Sequence, residues 1–218
     1  ELVAIKEQQI DKLKELRQVK IHQAVTKGIN PNVEMKDSGI DWIGEIPKHW
    51  EVKRLKTQSS KIGSGITPNG GATGYLDEGI PLLRSQNILF ERIELSNVAY
   101  ISTTIHNQMN NSKVKKWDVL LNITGGSIGR CNVVDFDLEM NVNQHVCIIR
   151  PQNINSYFLN YLLASEIGQS QIWYYQQGGG REGLNFQNLK NFQFPIPPLP
   201  EQEAIVAYLD EATNKIDQ

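Results

Sequence analysis

The 218-residue sequence has few cysteines and histidines and no long apolar run. Its two cysteines, Cys131 and Cys147, stand in apolar surroundings without a Cys-x-x-Cys partner, so we expect two buried, reduced thiols. The four histidines do not have the His-x-x-x-His spacing of a metal site. No segment approaches the ~20 apolar residues that cross a bilayer, and no signal-peptide pattern is present. We expect a cytoplasmic protein without a metal site or a membrane partner.

The sequence also lacks an excess of charge of either sign. Its 22 basic and 24 acidic residues give a formal net charge of -2. This balance argues against a protein that coats nucleic acid indiscriminately. Specific DNA recognition depends on a local basic surface and is therefore not excluded.

Two helix-forming segments bound the chain. Residues 1–27 lack glycine and proline, and Gly28 is suited to end the helix that they predict. Residues 200–218 follow a proline-rich approach, with Pro200 suited to a first helical turn. Apolar residues recur near a period of 3.6 in both segments, so we predict two amphipathic helices. The candidates for dimer or partner contacts on these helices are Leu2, Ile5, Leu13, Leu16, Ile205, Leu209 and Ile216.

The two apolar stripes share a phase. If Glu1 is placed after Gln218, the stripe of the second segment continues into the first without a break. This continuity predicts that the chain is one unit of a repeat, divided within a joining helix. The alternative is that two unrelated amphipathic helices have the same register.

The region between the helices has a different residue pattern. Short β-branched runs at residues 119–124, 131–134 and 145–151 predict strands. Residues 156–165 predict a helix capped by Ser156, with Phe158, Leu162 and Leu163 on its inner side. The expected fold class is α+β, with a strand-rich central domain.

Three stretches rich in glycine and small polar residues lie at 63–75, 124–130 and 178–186. The second contains Gly-x-Ser-x-Gly, and Asp135 and His145 follow in the order of a hydrolase triad. That motif requires a helix after Ser127, whereas the following residues predict a strand, so we consider the match accidental. Phosphate-binding and dinucleotide-binding glycine motifs are missing. We therefore expect no catalytic residue and no cofactor in this chain, with a Ser127 hydrolase as a remaining rival.

Recognition fits the three loops better than catalysis. Glycine lets backbone N–H groups approach an anion, and hydroxyl and amide side chains can hold phosphates or read base edges. Each residue taken alone could equally belong to a solvated turn. The clustering of these residue types favours a DNA-facing surface.

Six segments in order carry a resemblance to a known family: DSGIDWIGEIPKHWEVKRL (37–55), IGSGITP (62–68), GIPLLRSQNI (79–88), DVLLNITGGSIGR (118–130), NVNQHVCIIRP (141–151) and GLNFQNLKNFQFPIPPLPEQEAIVAYLD (183–210). The chain resembles the DNA-specificity (S) subunit of type I restriction-modification systems, as a half-length unit with one target-recognition domain. Its most specific elements are the PLPEQ segment that leads into a helix and the Ile-Gly-Glu-Ile-Pro segment after the other helix.

The resemblance implies a target-recognition domain flanked by two long amphipathic helices that pack as an antiparallel coiled-coil spacer. The implied boundaries are a spacer helix at 1–27, the recognition domain with its entry segment at 28–199, and the start of a second spacer helix at 200–218. Trp42, Ile46, Pro47 and Trp50 are expected to pack as the entry corner.

The implied function is sequence-specific recognition of one half of a bipartite site in double-stranded DNA. Type I modification subunits would carry the methyltransferase centre and S-adenosylmethionine, and a restriction subunit would use ATP. Because a full subunit has two recognition domains, we expect two copies of this chain to pair through their helices.

The resemblance also allows roles to be assigned to the loop residues. The phosphate-side candidates are Lys61, Ser64, Thr67, Thr124, Ser127 and Arg130. The base-edge candidates are Arg84, Gln86, Asn87, Asn143, Gln144, His145 and Arg181. The alternative function is a non-enzymatic coiled-coil scaffold whose central domain binds protein instead of DNA.

Overall fold

The computed structural model describes residues 2–68, 74–176 and 183–217. In chain order its elements are α1 (Leu2–Lys27), β1 (Met35–Asp37), β2 (Glu45–Pro47), β3 (Glu51–Arg54), β4 (Ser59–Ser64), β5 (Ile80–Leu83), β6 (Ala99–Ile101), α2 (Thr103–Gln108), β7 (Val119–Asn122), β8 (Cys131–Val133), β9 (Asn141–Val142), β10 (Val146–Pro151), α3 (Ser156–Ala164), α4 (Glu166–Gln176), α5 (Phe186–Lys190), β11 (Gln193–Ile196) and α6 (Leu199–Asp217). The predicted α+β class, with a long helix near each end, is confirmed.

The central sheet has four antiparallel strands in the order β4-β10-β7-β8. Its two faces are covered by different hydrophobic clusters. Leu121 and Ile149 pack with the helices on one face, whereas Leu120 and Ile148 pack on the other face. A strand that is buried on both faces has no polar alternation, which explains why the sequence shows continuous apolar runs here.

The two cysteines lie in this sheet. Cys131 and Cys147 are free and fully buried. Burial raises the pKa of each thiol to about 12, so both thiols are protonated at neutral pH. The prediction of two buried, reduced thiols is confirmed.

A second sheet has the strand order β6-β5-β9. Strands β5 and β9 are parallel, with Leu82 opposite Asn141 and Leu83 opposite Val142. Because parallel neighbours finish at the same edge, the segments that follow β5 and β9 begin side by side. The small pairs β1-β2 and β3-β11 are both antiparallel.

The terminal helices run side by side in opposite directions. Gly28 ends α1 in the left-handed conformation, with a φ of +74°, as expected for a glycine after a helix. A Cβ at Gly28 would lie 3.4 Å from Glu201 Oε1, so the end of α1 meets the start of α6. Further along, the Tyr161 hydroxyl donates to Asp210 on α6 at 2.6 Å, and the charge of Arg17 on α1 acts on the same hydroxyl.

The two predicted apolar stripes have different environments. Ile205 and Leu209 on α6 are fully buried in the core of this chain, so their prediction as partner contacts is wrong. Ile5, Leu13 and Leu16 on α1 are 47%, 43% and 44% exposed. The side chains of Leu2 and Ile216 lie outside the described part of the structure. Among the described residues of the two predicted stripes, the exposed apolar face therefore lies on α1.

Two local predictions need correction. Asn155, not Ser156, caps α3, because its side-chain oxygen accepts from the backbone nitrogens of Tyr157 and Phe158 at 2.9 and 3.1 Å. The predicted entry corner is only partly packed: Ile46 and Trp50 are fully buried, but Trp42 is 55% exposed.

Within the described residues, no helix combines the length and the apolar character needed to span a membrane.

Candidate recognition site

One end of the central sheet brings together the ends of several strands. Val146, which begins β10, is opposite Asn122, which ends β7. Cys147 is opposite Ser64, the last residue of β4. In antiparallel pairs a strand's end lies beside its neighbour's start, so the connecting segments leave the sheet at a common edge. Residues 64–68, 123–130 and 143–145 meet at this edge.

Strands β5 and β9 of the second sheet end beside the same edge of the central sheet. The Asn143 backbone nitrogen donates to the Leu83 carbonyl at 3.0 Å, and the Gly65 nitrogen donates to the Asn143 carbonyl at 3.2 Å. A Cβ added to Gly65 would lie only 1.7 Å from the Val142 carbonyl oxygen. Such a close approach of two backbones requires glycine at position 65.

A chain of side-chain hydrogen bonds connects the loops. The Thr67 hydroxyl donates to the side-chain oxygen of Gln144. The Gln144 amide nitrogen lies 3.0 Å from His145 Nε2, and His145 Nδ1 lies 2.6 Å from Thr124 Oγ1. Thr124 also forms a β-bridge with Gly183. The side-chain hydrogen bonds and the bridge at Thr124 together link residues from all three glycine-rich stretches.

The two ring contacts of His145 fit the tautomer that carries its proton on Nδ1. An amide nitrogen can only donate, so His145 Nε2 accepts from Gln144 and the ring proton lies on Nδ1. Nδ1 then donates to Thr124 Oγ1.

The Gly-x-Ser-x-Gly match is not part of a triad. Ser127 Oγ accepts from the Asn122 amide at 3.2 Å, and His145 uses its ring nitrogens on Gln144 and Thr124. The Asp135 carboxylate accepts from the Tyr157 hydroxyl at 3.1 Å. The three triad residues thus have different partners, as expected if the motif match is accidental.

Asn122 also connects the segment after β5 to the site. Its amide donates to the Ser85 carbonyl at 2.8 Å. Within that segment, buried Asn87 accepts from the Arg84 backbone nitrogen at 3.0 Å and donates to the Glu94 carbonyl at 2.9 Å. These bonds close the loop and leave Gln86 exposed.

The hydrogen bonds around Glu94 hold the far side of the same loop. Ser96 and Arg92 lower the pKa of the Glu94 carboxyl to about 2, the backbone nitrogen of Ser96 having the largest effect. The carboxylate is therefore ionised over the physiological pH range.

Cationic groups lie at different distances from the network. The Arg84 guanidinium lies 5.6 Å from the centre of the Tyr75 ring, and Arg84 Nη2 donates to the Asn97 carbonyl at 3.4 Å. In the part of the chain that the structure describes, the Arg130 side chain makes no hydrogen bond or ion pair.

Lys61 lies apart from the network. It pairs across the sheet with Arg150, and its ammonium group donates to the Asn111 carbonyl at 2.5 Å. Burial, and secondarily Arg150, lowers its pKa.

The remaining predicted residues have the following positions. Ser64 ends β4 and donates to the Gly65 carbonyl at 3.3 Å. Asn143 is buried, and its side-chain oxygen accepts from the His145 nitrogen at 3.0 Å, so in this conformation it supports the loop. Arg181 lies outside the described residues, as do residues 69–73 and 177–180. Among the described residues, no cluster of His, Cys, Asp and Glu could hold a metal ion.

A family model described as "Type I restriction modification DNA specificity domain" matches residues 47–218. The chain belongs to this family. The match begins in β2 and includes every element of the network described above.

Curated relatives of this specificity domain are longer proteins. The type I restriction enzyme EcoBI specificity subunit of Escherichia coli is 33% identical over 171 residues, which is 76% of this chain and 35% of that subunit. The MjaVIII specificity subunit of Methanocaldococcus jannaschii is 28% identical over 222 aligned residues, covering 99% of this chain and 51% of the relative. The chain thus spans about half or less of the length of these relatives.

Solved structures of S subunits share the fold of this specificity domain. The HsdS subunit from Thermoanaerobacter tengcongensis matches with a TM-score of 0.63 at 20% identity, covering 100% of this chain and 47% of that chain. The S subunit from M. genitalium matches with a TM-score of 0.58 at 11% identity, covering 99% of this chain and 54% of the other.

The sequence reasoning missed one part of the specificity domain that borders the network. Helix α4 packs against the loop that contains Gly125, because the Gln169 amide donates to the Gly129 carbonyl at 3.0 Å. Trp173 and Gln176 on this helix line a cleft with Gly125 and Gly126. The sequence signal that could have identified Trp173 and Gln176 is their position just before the third glycine-rich stretch. Their spacing of three residues places them on one face of a helix.

Proposed function

We propose that this chain recognises double-stranded DNA sequence-specifically, as a non-catalytic specificity half-unit that reads one half of a bipartite site. The observation that carries the proposal is the hydrogen-bonded network from Thr67 to Thr124, which holds loops from several strands at one sheet edge. Membership of the specificity-domain family supports it.

The exposed chemistry of the network suits base edges and phosphates. Gln86 and Gln144 are exposed amides, which can donate and accept at once, as adenine requires in the major groove. Thr67 is an exposed hydroxyl, and Arg130 supplies positive charge beside the loop. Hydroxyl groups and arginines are the usual ligands of DNA phosphates.

The proposed partners are type I modification subunits, which would bring the methyltransferase centre and S-adenosylmethionine to the DNA. An ATP-dependent restriction subunit would join the same assembly. In this arrangement the chain itself needs no cofactor, because it recognises the DNA sequence and the partner subunits catalyse the reaction.

The decisive experiment is a selection of bound sequences from random duplex DNA by the chain mixed with a candidate modification subunit. We expect a split, symmetric motif and a binding constant that falls steeply with salt, because phosphate contacts release counterions. Protein binding without an enriched motif would favour the coiled-coil scaffold instead.

Two single substitutions should separate base reading from phosphate binding. Gln86→Ala, which leaves the hydrogen-bonded network in place, is expected to relax the preference at one position of the selected motif by about 1–3 kcal/mol. Arg130→Ala is expected to weaken binding to all sequences and to reduce the salt slope by about one. Anisotropy titrations with the selected and scrambled duplexes at several salt concentrations measure both effects. Equal losses on both duplexes for both variants would contradict this assignment.

We further propose that two copies of the chain pair through the exposed apolar face of α1. Leu13 and Leu16 contribute to this face, and a partner helix would remove them from water. Two identical recognition domains related by a twofold axis would then read an interrupted palindrome.

Leu16→Glu is expected to convert the pair into single chains, because it places a charge in an apolar helix interface. Gln18→Glu is the matched control, since position 18 lies on the opposite side of α1 and adds the same charge. Sedimentation velocity at tens of micromolar measures the mass. A wild-type chain that is already a monomer at this concentration would refute the pairing.

A further inference from the structure

A cleft of about 430 Å³ adjoins the network on the side of α4. It is lined by Gly125 and Gly126 on one side and by Ile172, Trp173 and Gln176 on the other. Gly125 directly follows Thr124, the last member of the hydrogen-bond chain. The cleft is therefore continuous with the proposed DNA-facing surface.

Helix α4 is held rigidly at this position. The Gln169 amide donates to the carbonyls of Gly129 and Leu163 at 3.0 and 2.8 Å. Ile172, one turn further, is only 3% exposed and packs in the core. Gln169, Ile172, Trp173 and Gln176 have the spacing of one helical face, so the helix presents its last turn to the cleft in a defined orientation.

Two side chains in this last turn have no evident structural task. Trp173 is 64% exposed, although a tryptophan is a costly residue to leave in water. Gln176 makes no hydrogen bond within the described part of the chain. Both side chains therefore border the cleft without a hydrogen-bond partner among the described residues.

Among the described residues that line the cleft, none has a charged side chain. Phosphates would require cationic or hydroxyl ligands, so the lining fits base edges better than the DNA backbone. In the major groove, thymine presents a methyl group, and adenine presents the donor and acceptor pair that a glutamine amide matches. The combination of an indole and an amide one turn apart suits an A·T base pair.

We propose that the last turn of α4 determines specificity for one A·T pair at the edge of the half-site, with Trp173 against the thymine methyl and Gln176 on adenine. This inference rests on the proposed DNA recognition and adds a base pair and two reading residues to it. Neither residue belongs to the hydrogen-bonded network.

The test uses the full chain with its modification subunit and the duplex obtained by selection. Each thymine is replaced in turn by deoxyuridine, which removes only the methyl group, and each adenine by 7-deazaadenine, which removes only the N7 acceptor. For wild type we expect one A·T pair at which deoxyuridine weakens binding about fourfold, the effect of one buried methyl group. At the adenine of that pair, 7-deazaadenine should weaken binding at least about fivefold.

The variants assign these effects to residues. Trp173→Ala should bind thymine and deoxyuridine duplexes equally, and Gln176→Ala should lose the response to 7-deazaadenine. Tyr174→Ala is the matched control, because Tyr174 is exposed and adjacent in sequence but is not among the residues that line the cleft beside Gly125; it lines a second cleft, which Trp173 also borders. It should keep both responses. Thermal unfolding should be unchanged for all three variants, since each replaced side chain lies at the surface or at its margin.

Specific wild-type binding without any responsive A·T pair would overturn the inference and leave the proposed function intact. Unchanged responses in Trp173→Ala would also overturn it. Loss of the modification subunit from Trp173→Ala with intact DNA discrimination would make this turn a protein contact instead. Absence of any sequence-specific binding by wild type would reject the proposed function and the inference together.

Discussion

Gly65→Ala is expected to weaken sequence-specific DNA binding by roughly 30-fold, corresponding to about 2 kcal/mol. A Cβ at this position would lie 1.7 Å from the Val142 carbonyl oxygen and 2.8 Å from the Ser112 side chain. No rotamer change relieves a clash between a Cβ and a backbone carbonyl, so the segment must move away from β9. The move would break the bond between Thr67 and Gln144 and would release one end of the network.

Gly63→Ala provides the control for this effect. Gly63 lies two residues earlier in β4, and a Cβ there would meet nothing within 4 Å. We expect its binding curve to match wild type, and anisotropy with the selected duplex measures both variants. Wild-type affinity in Gly65→Ala would mean that the 65–68 segment is not required to stay against β9 for recognition.

Asp118→Ala is expected to lower the free energy of unfolding by about 3 kcal/mol. The Asp118 side chain is fully buried and binds Arg150 through two bonds of 2.7 and 2.8 Å. It also accepts from the Lys115 backbone nitrogen at 2.7 Å. Alanine would leave the guanidinium, which is 24% exposed, and the backbone N–H without this partner. A partly buried charge without a partner costs more than the pair contributes.

The matched control is Glu34→Ala, which removes a carboxylate from a bond of the same length. Glu34 lies 2.7 Å from Lys48, but the two side chains are 72% and 61% exposed. An exposed pair contributes at most about 1 kcal/mol, so we expect a much smaller loss. Urea unfolding followed by circular dichroism gives both values. Similar losses for the two variants would show that burial does not determine the strength of the Asp118 contact.

The sequence predicted those parts of the fold that depend on local signals. The end of α1 at Lys27 follows from Gly28, and the strands around Leu120 and Ile148 follow from short apolar runs. The α3 cap was misplaced by one residue, because Asn155 and Ser156 are both good caps and only the backbone conformation distinguishes them.

The arrangement of the site could not be predicted in the same way. Described residues of the three glycine-rich stretches meet because β4 and β7 both pair with β10 and because Thr124 forms a bridge with Gly183. Such distant pairings leave no local trace in a single sequence. Asn87, predicted at a base edge, is instead buried in its own loop, where it bonds to Arg84 and Glu94. The location of Trp173 beside Gly126 likewise depends on how α4 packs.

The proximity of Gly28 and Glu201 has a consequence for how new specificities could arise. The chain enters and leaves the recognition domain at one point, where β3 pairs with β11 and His49 contacts Glu201 at 2.7 Å. The chain between β3 and β11 is therefore one excursion that begins and ends beside the two helices. Its core is shared with them, because Ile21 on α1 and Leu209 on α6 pack in the same cluster as Phe158, so only its outer loops can change without disturbing the helices. Under the proposed function, a change confined to the outer loops of this excursion would alter the DNA sequence that is read, while the exposed face of α1 that we propose for pairing would stay the same.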